Sequence, residues 1–134
     1  MSKYRNPALT VDIIIVEDEK VVLIKRLNNP YKDCWAIPGG FVDYGERVED
    51  AAVREAREET SLDVELTKLV GVYSDPDRDP RGHTVSITYT ARIIGGQLCS
   101  DSDAKDVKFV DISDLKDMEL AFDHNMILED SGIL

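Results

Sequence analysis

The sequence predicts an α/β fold, on three observations. Two Val/Ile/Leu-rich runs open the chain, a Gly- and Pro-free run rich in Ala, Glu and Arg sits at its centre, and further alternating strand-like segments follow it. With 134 residues, 43% of them hydrophobic and 32% charged, the chain has the composition of one globular domain over 1–134.

Leu9 to Val16 and Lys20 to Arg26, joined by the acidic turn Glu17-Asp18-Glu19, read as a β-hairpin of mostly buried strands. Asn28-Asn29-Pro30 breaks the pattern, and Trp35-Ala36-Ile37 makes a short extended piece that stops in a loop at Pro38-Gly39-Gly40. From about Arg47 to Thr60 the residues favour helix, with Glu49 and Asp50 well placed in the first turn. Leu62 to Ser74 and Thr84 to Ile94 follow as strands; in the second, Val85, Ile87 and Tyr89 alternate with Ser86, Thr88 and Thr90. The turn-rich segment Asp75 to Gly82 separates them. After Gly95-Gly96, a loop bearing Asp101, Asp103 and Asp106 leads to a last strand, Val107 to Val110, and the stretch from Asp123 to Ser131 reads as helix.

The formal charge of −11, from 16 basic and 27 acidic residues, repels nucleic-acid backbones and anionic membranes. No apolar run is long enough to span a bilayer, and Met1 to Pro7 does not resemble a leader, which together predict a cytoplasmic protein. Cys34 and Cys99 lack metal-ligand spacing and read as reduced and structural.

The central helix carries the chemical signal. Stepping about 100° per residue puts Val48, Ala51, Ala52 and Leu62 on one apolar stripe, widened by Ala56 and Val53. Glu55 and Glu59 fall inside that stripe and Glu58 borders it, while Asp50, Arg54 and Arg57 point the opposite way. Buried carboxylates cost several kcal/mol each without a compensating cation or donor. Clustered carboxylates without His or thiolate neighbours select hard cations such as Mg²⁺ or Mn²⁺ and suit metal-assisted attack of water on a phosphoryl group. The alternative is a solvated acidic face paired with Arg54 and Arg57. Upstream, Gly39-Gly40 permits close approach of backbone to a ligand, or is merely a turn.

The run Gly40, five residues, Glu46, seven residues, then Arg54-Glu55-Ala56-Arg57-Glu58-Glu59-Thr60-Ser61-Leu62 resembles the signature box of the Nudix hydrolases over 23 residues. The resemblance implies an α/β/α sandwich with a mixed β-sheet and hydrolysis of a nucleoside diphosphate linked to another group. It also implies Mg²⁺ held by Glu55, Glu58, Glu59 and the Gly40 carbonyl, with Glu46 and Arg54 bracing loop and helix. Ser61 departs from the usual Gly at a position where a left-handed residue is expected. Members of that family often form homodimers.

A narrower resemblance, to ADP-ribose pyrophosphatases, rests on Gly71 to His83 and Trp35 to Asp43. It implies conversion of ADP-ribose to AMP and ribose 5-phosphate. Oxidised or noncanonical nucleoside triphosphates or another sugar nucleotide are the alternative substrates, and a non-catalytic ADP-ribose sensor is the alternative from another class. Arg78 and Arg81 offer forked donors for phosphate or a terminal ribose, or else pair with Asp75, Asp77 and Asp79. Trp35, Phe41 and Tyr73 are candidates to stack on adenine, or core aromatics, and His83 reads as a strand-end structural residue. Many members place a further acidic metal ligand or base in the loop of residues 99–105; Asp103 is the first choice here and Asp101 the second, against a solvated acidic loop.

Overall fold

The Val- and Ile-rich opening strands become the centre of a seven-stranded mixed sheet in the computed structural model, which describes residues 5–99 and 104–134. The order is β1 (Ala8–Glu17), β2 (Lys20–Arg26), β3 (Trp35–Ala36), β4 (Gly39–Phe41), α1 (Val48–Thr60), β5 (Leu62–Tyr73), β6 (Thr84–Gly96), β7 (Ala104–Asp111), α2 (Ile112–Leu115) and α3 (His124–Asp130). β1 runs parallel to β6, β6 antiparallel to β5, and β2 antiparallel to both β3 and β7.

The period of two in β1 divides the core into layers. Val11, Ile13 and Ile15 pack with Ala51, Ala52 and Ala56 of α1, whereas Ile14 packs with Leu115, Leu120, Ile127 and Leu128 around α2 and α3. The sheet therefore lies between α1 and the C-terminal helices, the α/β/α arrangement expected. Among the described residues no helix is long and apolar enough to cross a membrane.

Three elements differ from the sequence reading. The β1–β2 hairpin zips for only two residue pairs, Val16↔Val21 and Glu17↔Lys20, because both edges of β1 are taken further back: Ala8 to Ile15 by β6, and Thr10 to Asp12 by β4. Gly39-Gly40 is not a loop but strand β4, drawn into the sheet by that open edge of β1. The alternation in β6 is present, yet Ser86 and Thr88 are the fully buried residues and Val85 and Ile87 are only partly covered. Ser86 donates to the Asp12 carboxylate, so this face is satisfied by polar pairing.

Helix α1 has no side-chain N-cap; Glu49 and Asp50 in its first turn complement the positive end of its dipole instead. It ends at Ser61, which is left-handed at φ 64° and ψ 15° and whose N–H donates to the Arg57 carbonyl at 2.9 Å. Its hydroxyl also donates to the Cys99 carbonyl at 3.2 Å. Serine carries a Cβ penalty in this conformation that glycine lacks. Ser61→Gly should therefore raise stability by about 0.5–1 kcal/mol and the melting temperature by a few degrees, while Ser61→Ala should lower both. A glycine variant that melts below wild type would show that the Cys99 bond outweighs the backbone strain.

Candidate active site

The diglycine packs so close to β1 and α1 that a Cβ at either position would crowd its neighbours. Gly40 pairs with Val11 and Gly39 with Asp12 across β1 and β4. A Cβ at Gly40 would lie 2.5 Å from the Glu55 carboxyl carbon, and one at Gly39 would lie 2.5 Å from an Asp12 carboxylate oxygen. The Gly39 N–H donates to Glu59 Oε1 at 2.7 Å. Glu55 and Glu59 are only 8% and 5% exposed, and the Glu58 side chain is 47% exposed at the border of the same face.

Arg54 does not point to solvent as the helical wheel expected. The loop of residues 42–46 folds back over that side of α1, and Arg54 bonds Glu46 through Nε and Nη2 at 2.7 and 2.9 Å. The same guanidinium reaches Glu55 at 2.8 Å, Glu58 at 3.1 Å and the Phe41 carbonyl at 3.0 Å. Val53, expected in the apolar stripe, is the exposed residue instead. Hydrogen bonds from Arg54, and then from the Asp43 N–H, hold the Glu46 carboxyl down to about 2, and Glu46 in turn raises Arg54. One cation thus ties loop to helix and spaces two of the clustered glutamates.

Beside the box opens a cavity of about 400 Å³ lined by Asp12, Arg26, Gly39, Gly40, Phe41, Glu55, Glu59, Arg78, Asp79, Arg81, Phe122 and His124 among others, a size that suits a small-molecule ligand. Its floor is a buried polar network. Arg78, with a side chain 6% exposed, donates to both Asp123 oxygens at 2.9 and 2.7 Å and to Thr84 Oγ1 at 2.9 Å, and lies 4.0 Å from Asp12. Burial disfavours its charge, but the Asp123 pair wins and the Arg78 pKa is raised. Arg78 is thus committed to bracing α3 against the sheet. Arg81 stands higher, paired with Asp79 at 2.8 Å, and its guanidinium carbon lies 5.5 Å from the Phe41 ring centroid. Asp79 is buried, which opposes its charge, yet the hydrogen bonds from Arg81 keep its pKa low.

The structure thus brings Gly40, Phe41, Glu55, Glu59, Arg78 and Arg81 around one cavity, ties Glu46 and Glu58 to its edge through Arg54, and leaves two candidates away from it. Trp35 packs against the C-terminal-helix core with Lys108 Nζ 4.2 Å from its ring centroid. Tyr73 packs into the same core and donates to Asp130 at 2.9 Å; burial and that carboxylate push its hydroxyl up to about 12. His83 bonds the Ser74 carbonyl at 2.9 Å, at the strand end. Asp101 and Asp103 lie outside the described residues. Sequence reasoning missed Asp12, Arg26, Phe122 and His124, while the expected alternative of an Arg81–Asp79 pair is present. Asp12 alone left a trace, as the one charge inside the apolar run of β1.

The donors around Glu55 suit a hard divalent cation. All are oxygens, the carboxylates are held near ionised partners, and the missing Cβ of Gly40 leaves a cradle against Glu55. Among the described residues no three acidic, histidine or cysteine side chains already converge as a closed metal cage. The fit is therefore to an ion that keeps waters and takes substrate oxygens as well.

Comparison with known proteins places this geometry in a family. A model of the NUDIX domain matches residues 6–130. An ADP-ribose pyrophosphatase of Methanocaldococcus jannaschii is 53% identical over 133 residues, which is 97% of this chain and 78% of that protein. The NUDIX domain of Shewanella oneidensis NrtR, solved with ADP ribose, superposes with a TM-score of 0.83 at 31% identity, covering 96% of this chain and 88% of that one. A bifunctional NMN adenylyltransferase/ADP ribose pyrophosphatase of Francisella tularensis, solved with AMP and a Mn ion, gives 0.82 at 29% identity over 96% of this chain and 42% of its own.

The cavity floor makes one acid-sensitive prediction. The Ile37 N–H donates to His124 Nδ1 at 3.0 Å, so that nitrogen is an acceptor and Nε2, 3.6 Å from Asp12, carries the hydrogen. Burial lowers the His124 pKa below its ordinary 6.5, and the neighbouring Asp12 only partly opposes this. The unfolded chain then binds the proton first as pH falls, so this contribution is complete above 6.5 and is lost as pH drops from there through the folded-state pKa. Nitrogen NMR of the imidazole should show a neutral Nε2–H ring at pH 6.5, where a free imidazole is half protonated, with urea stability declining as pH falls below 6.5. A ring that protonates at or above 6.5 in the folded protein would contradict the assignment.

Proposed function

The chain belongs to the NUDIX domain family, and on that premise we propose that it is an enzyme that hydrolyses ADP-ribose at its diphosphate linkage, releasing AMP and ribose 5-phosphate. The observation that carries the reading is one cavity holding both the buried carboxylates of the box and the guanidiniums of Arg26 and Arg81. The 53% identity to an ADP-ribose pyrophosphatase supports the choice of substrate.

Nudix hydrolases generally need a divalent metal, and Mg²⁺, with Mn²⁺ as substitute, is the ion proposed here, held by Glu55, Glu58, Glu59 and the Gly40 carbonyl. When bound, such an ion neutralises charge on the diphosphate oxygens and acidifies the attacking water. Around it the side chains have separate tasks. Arg54, fixed by Glu46, holds Glu55 and Glu58 through hydrogen bonds from one guanidinium nitrogen. The Gly39 N–H orients Glu59. Arg81 supplies positive charge for a phosphate or the terminal ribose end, and Phe41, at the rim, a face for adenine.

Water forms the new P–O bond, the bridging P–O bond breaks, and the proton passes to a carboxylate base. That base is a glutamate of the box or Asp103. Trp35 and Tyr73 drop out of substrate binding, and Arg78 moves from binding phosphate to bracing the floor.

Glu58→Gln tests the assignment, because it changes an exposed residue whose ion pair with Arg54 has little weight in stability. Turnover of ADP-ribose with Mg²⁺, followed by release of AMP, should fall by roughly 10²-fold or more in kcat. The melting temperature without metal should stay within a degree or so, and its rise on adding Mg²⁺ should shrink. A variant with wild-type kcat would return Glu58 to a solvated ion pair. Faster turnover of nucleoside triphosphates than of ADP-ribose by the wild type would overturn the substrate.

A further inference from the structure

Phe122 occupies an unusual place. It lies just before α3 with φ +54°, a left-handed backbone that a bulky side chain adopts only against steric resistance. Its ring forms part of the cavity wall. The guanidinium carbon of Arg26 lies 4.9 Å from the ring centroid and that of Arg81 lies 5.8 Å from it. From the loop between β2 and β3, Tyr31 backs the ring at 4.7 Å, tilted by 58°, and His124 stands at 5.5 Å. Tyr31 too is left-handed, at φ 61°.

Two guanidiniums brought to one ring repel each other; burial first, and then Arg81, lower the Arg26 pKa. Each is pinned on its far side. Arg26 Nε donates to the Pro30 carbonyl at 2.8 Å, and Arg81 is held by Asp79. What they share is the negative face of an aromatic ring, which attracts both cations from the side opposite their other partners. A chain of net charge −11 thus concentrates two positive groups in the cavity that also holds its box glutamates. Arg26 is close enough to Glu59 for that carboxylate to stabilise its charge.

We infer that Phe122 is a positioning residue: its ring holds Arg26 and Arg81 as a paired clamp for the diphosphate of the substrate, and so sets substrate affinity without taking part in the bond-breaking step. The inference rests on the reading that this cavity receives a nucleoside diphosphate. A diphosphate supplies adjacent negative oxygens that relieve the repulsion between the two cations, which a neutral sugar or base does not. A ring that merely filled space would give the same result with any apolar side chain of its size.

The test compares Phe122→Leu, which keeps apolar bulk and removes the π face, with Phe122→Tyr, which keeps the face. ADP-ribose turnover with Mg²⁺ gives KM and kcat, and calorimetric binding of ADP in metal-free buffer gives affinity without chemistry. Phe122→Leu should raise KM and the Kd for ADP by about tenfold with kcat within about twofold, and Phe122→Tyr should restore both. Arg26→Gln should weaken binding by a similar factor and add little to Phe122→Leu, because the two act through one clamp.

Wild-type KM and ADP affinity in Phe122→Leu, or a tyrosine variant as impaired as the leucine one, would overturn the inference. Should Phe122→Leu lose its cooperative melt, Phe122→Met and Arg26→Gln carry the same comparison with the same deciding outcomes. A wild type that binds ADP, loses that affinity in Phe122→Leu, and leaves ADP-ribose intact would sustain the clamp and overturn the substrate assignment alone.

Discussion

Everything at this site depends on two carboxylates held where carboxylates are costly. Glu55 and Glu59 sit on the face of α1 that also carries Ala51, Ala52 and Ala56, closed off by the diglycine of β4. Their burial is tolerable because the compensation is built from neighbours of fixed geometry: the Gly39 N–H on Glu59, and Arg54 on Glu55. Those partners in turn constrain the fold. β4 must enter the sheet beside β1 to bring its backbone against the helix, and the loop of residues 42–46 must fold back to deliver Glu46 to Arg54. A site of this kind favours ligands that bring positive charge, which is the physical ground for a divalent cation there.

The second half of the cavity is built on the opposite charge. A floor of Asp12, Arg78, Asp123 and His124 is buried and internally paired, and among the described residues no buried side-chain polar atom lacks a partner. Above it Arg26 and Arg81 face inward from different elements, β2 and the β5–β6 turn. A metal bound at the glutamates and cations at the other wall would bracket a diphosphate between them. The strongly acidic surface then discourages larger polyanions, while the local cations admit a small one.

The glutamate box was legible in the sequence because it violates helical amphipathicity, a local rule, and the left-handed Ser61 was legible only through the family resemblance, which places Gly there. The direction of Arg54 was not legible. A helical wheel carries no knowledge of which loop will cover the polar side. Phe122, Arg26 and His124 were missed for a related reason: they come from β2 and the C-terminal segment, and only the tertiary fold makes them neighbours. Trp35 and Tyr73 show the converse error, since an aromatic residue near a motif in sequence is as readily drawn into a core as into a cavity. The inward turn of β6's polar face was not legible, because its partner Asp12 lies on a strand that only the tertiary fold brings beside it.

The central claim is that the buried glutamates of α1 exist to hold a divalent cation. Binding of Mn²⁺ in solution, followed by its electron paramagnetic resonance signal with Mg²⁺ as competitor, tests this without reference to any substrate. Wild type should bind Mn²⁺ competitively with Mg²⁺, and Glu59→Gln should weaken that binding by roughly tenfold or more while retaining a cooperative melt. Equal Mn²⁺ affinity in wild type and in a folded Glu59→Gln variant would contradict the account.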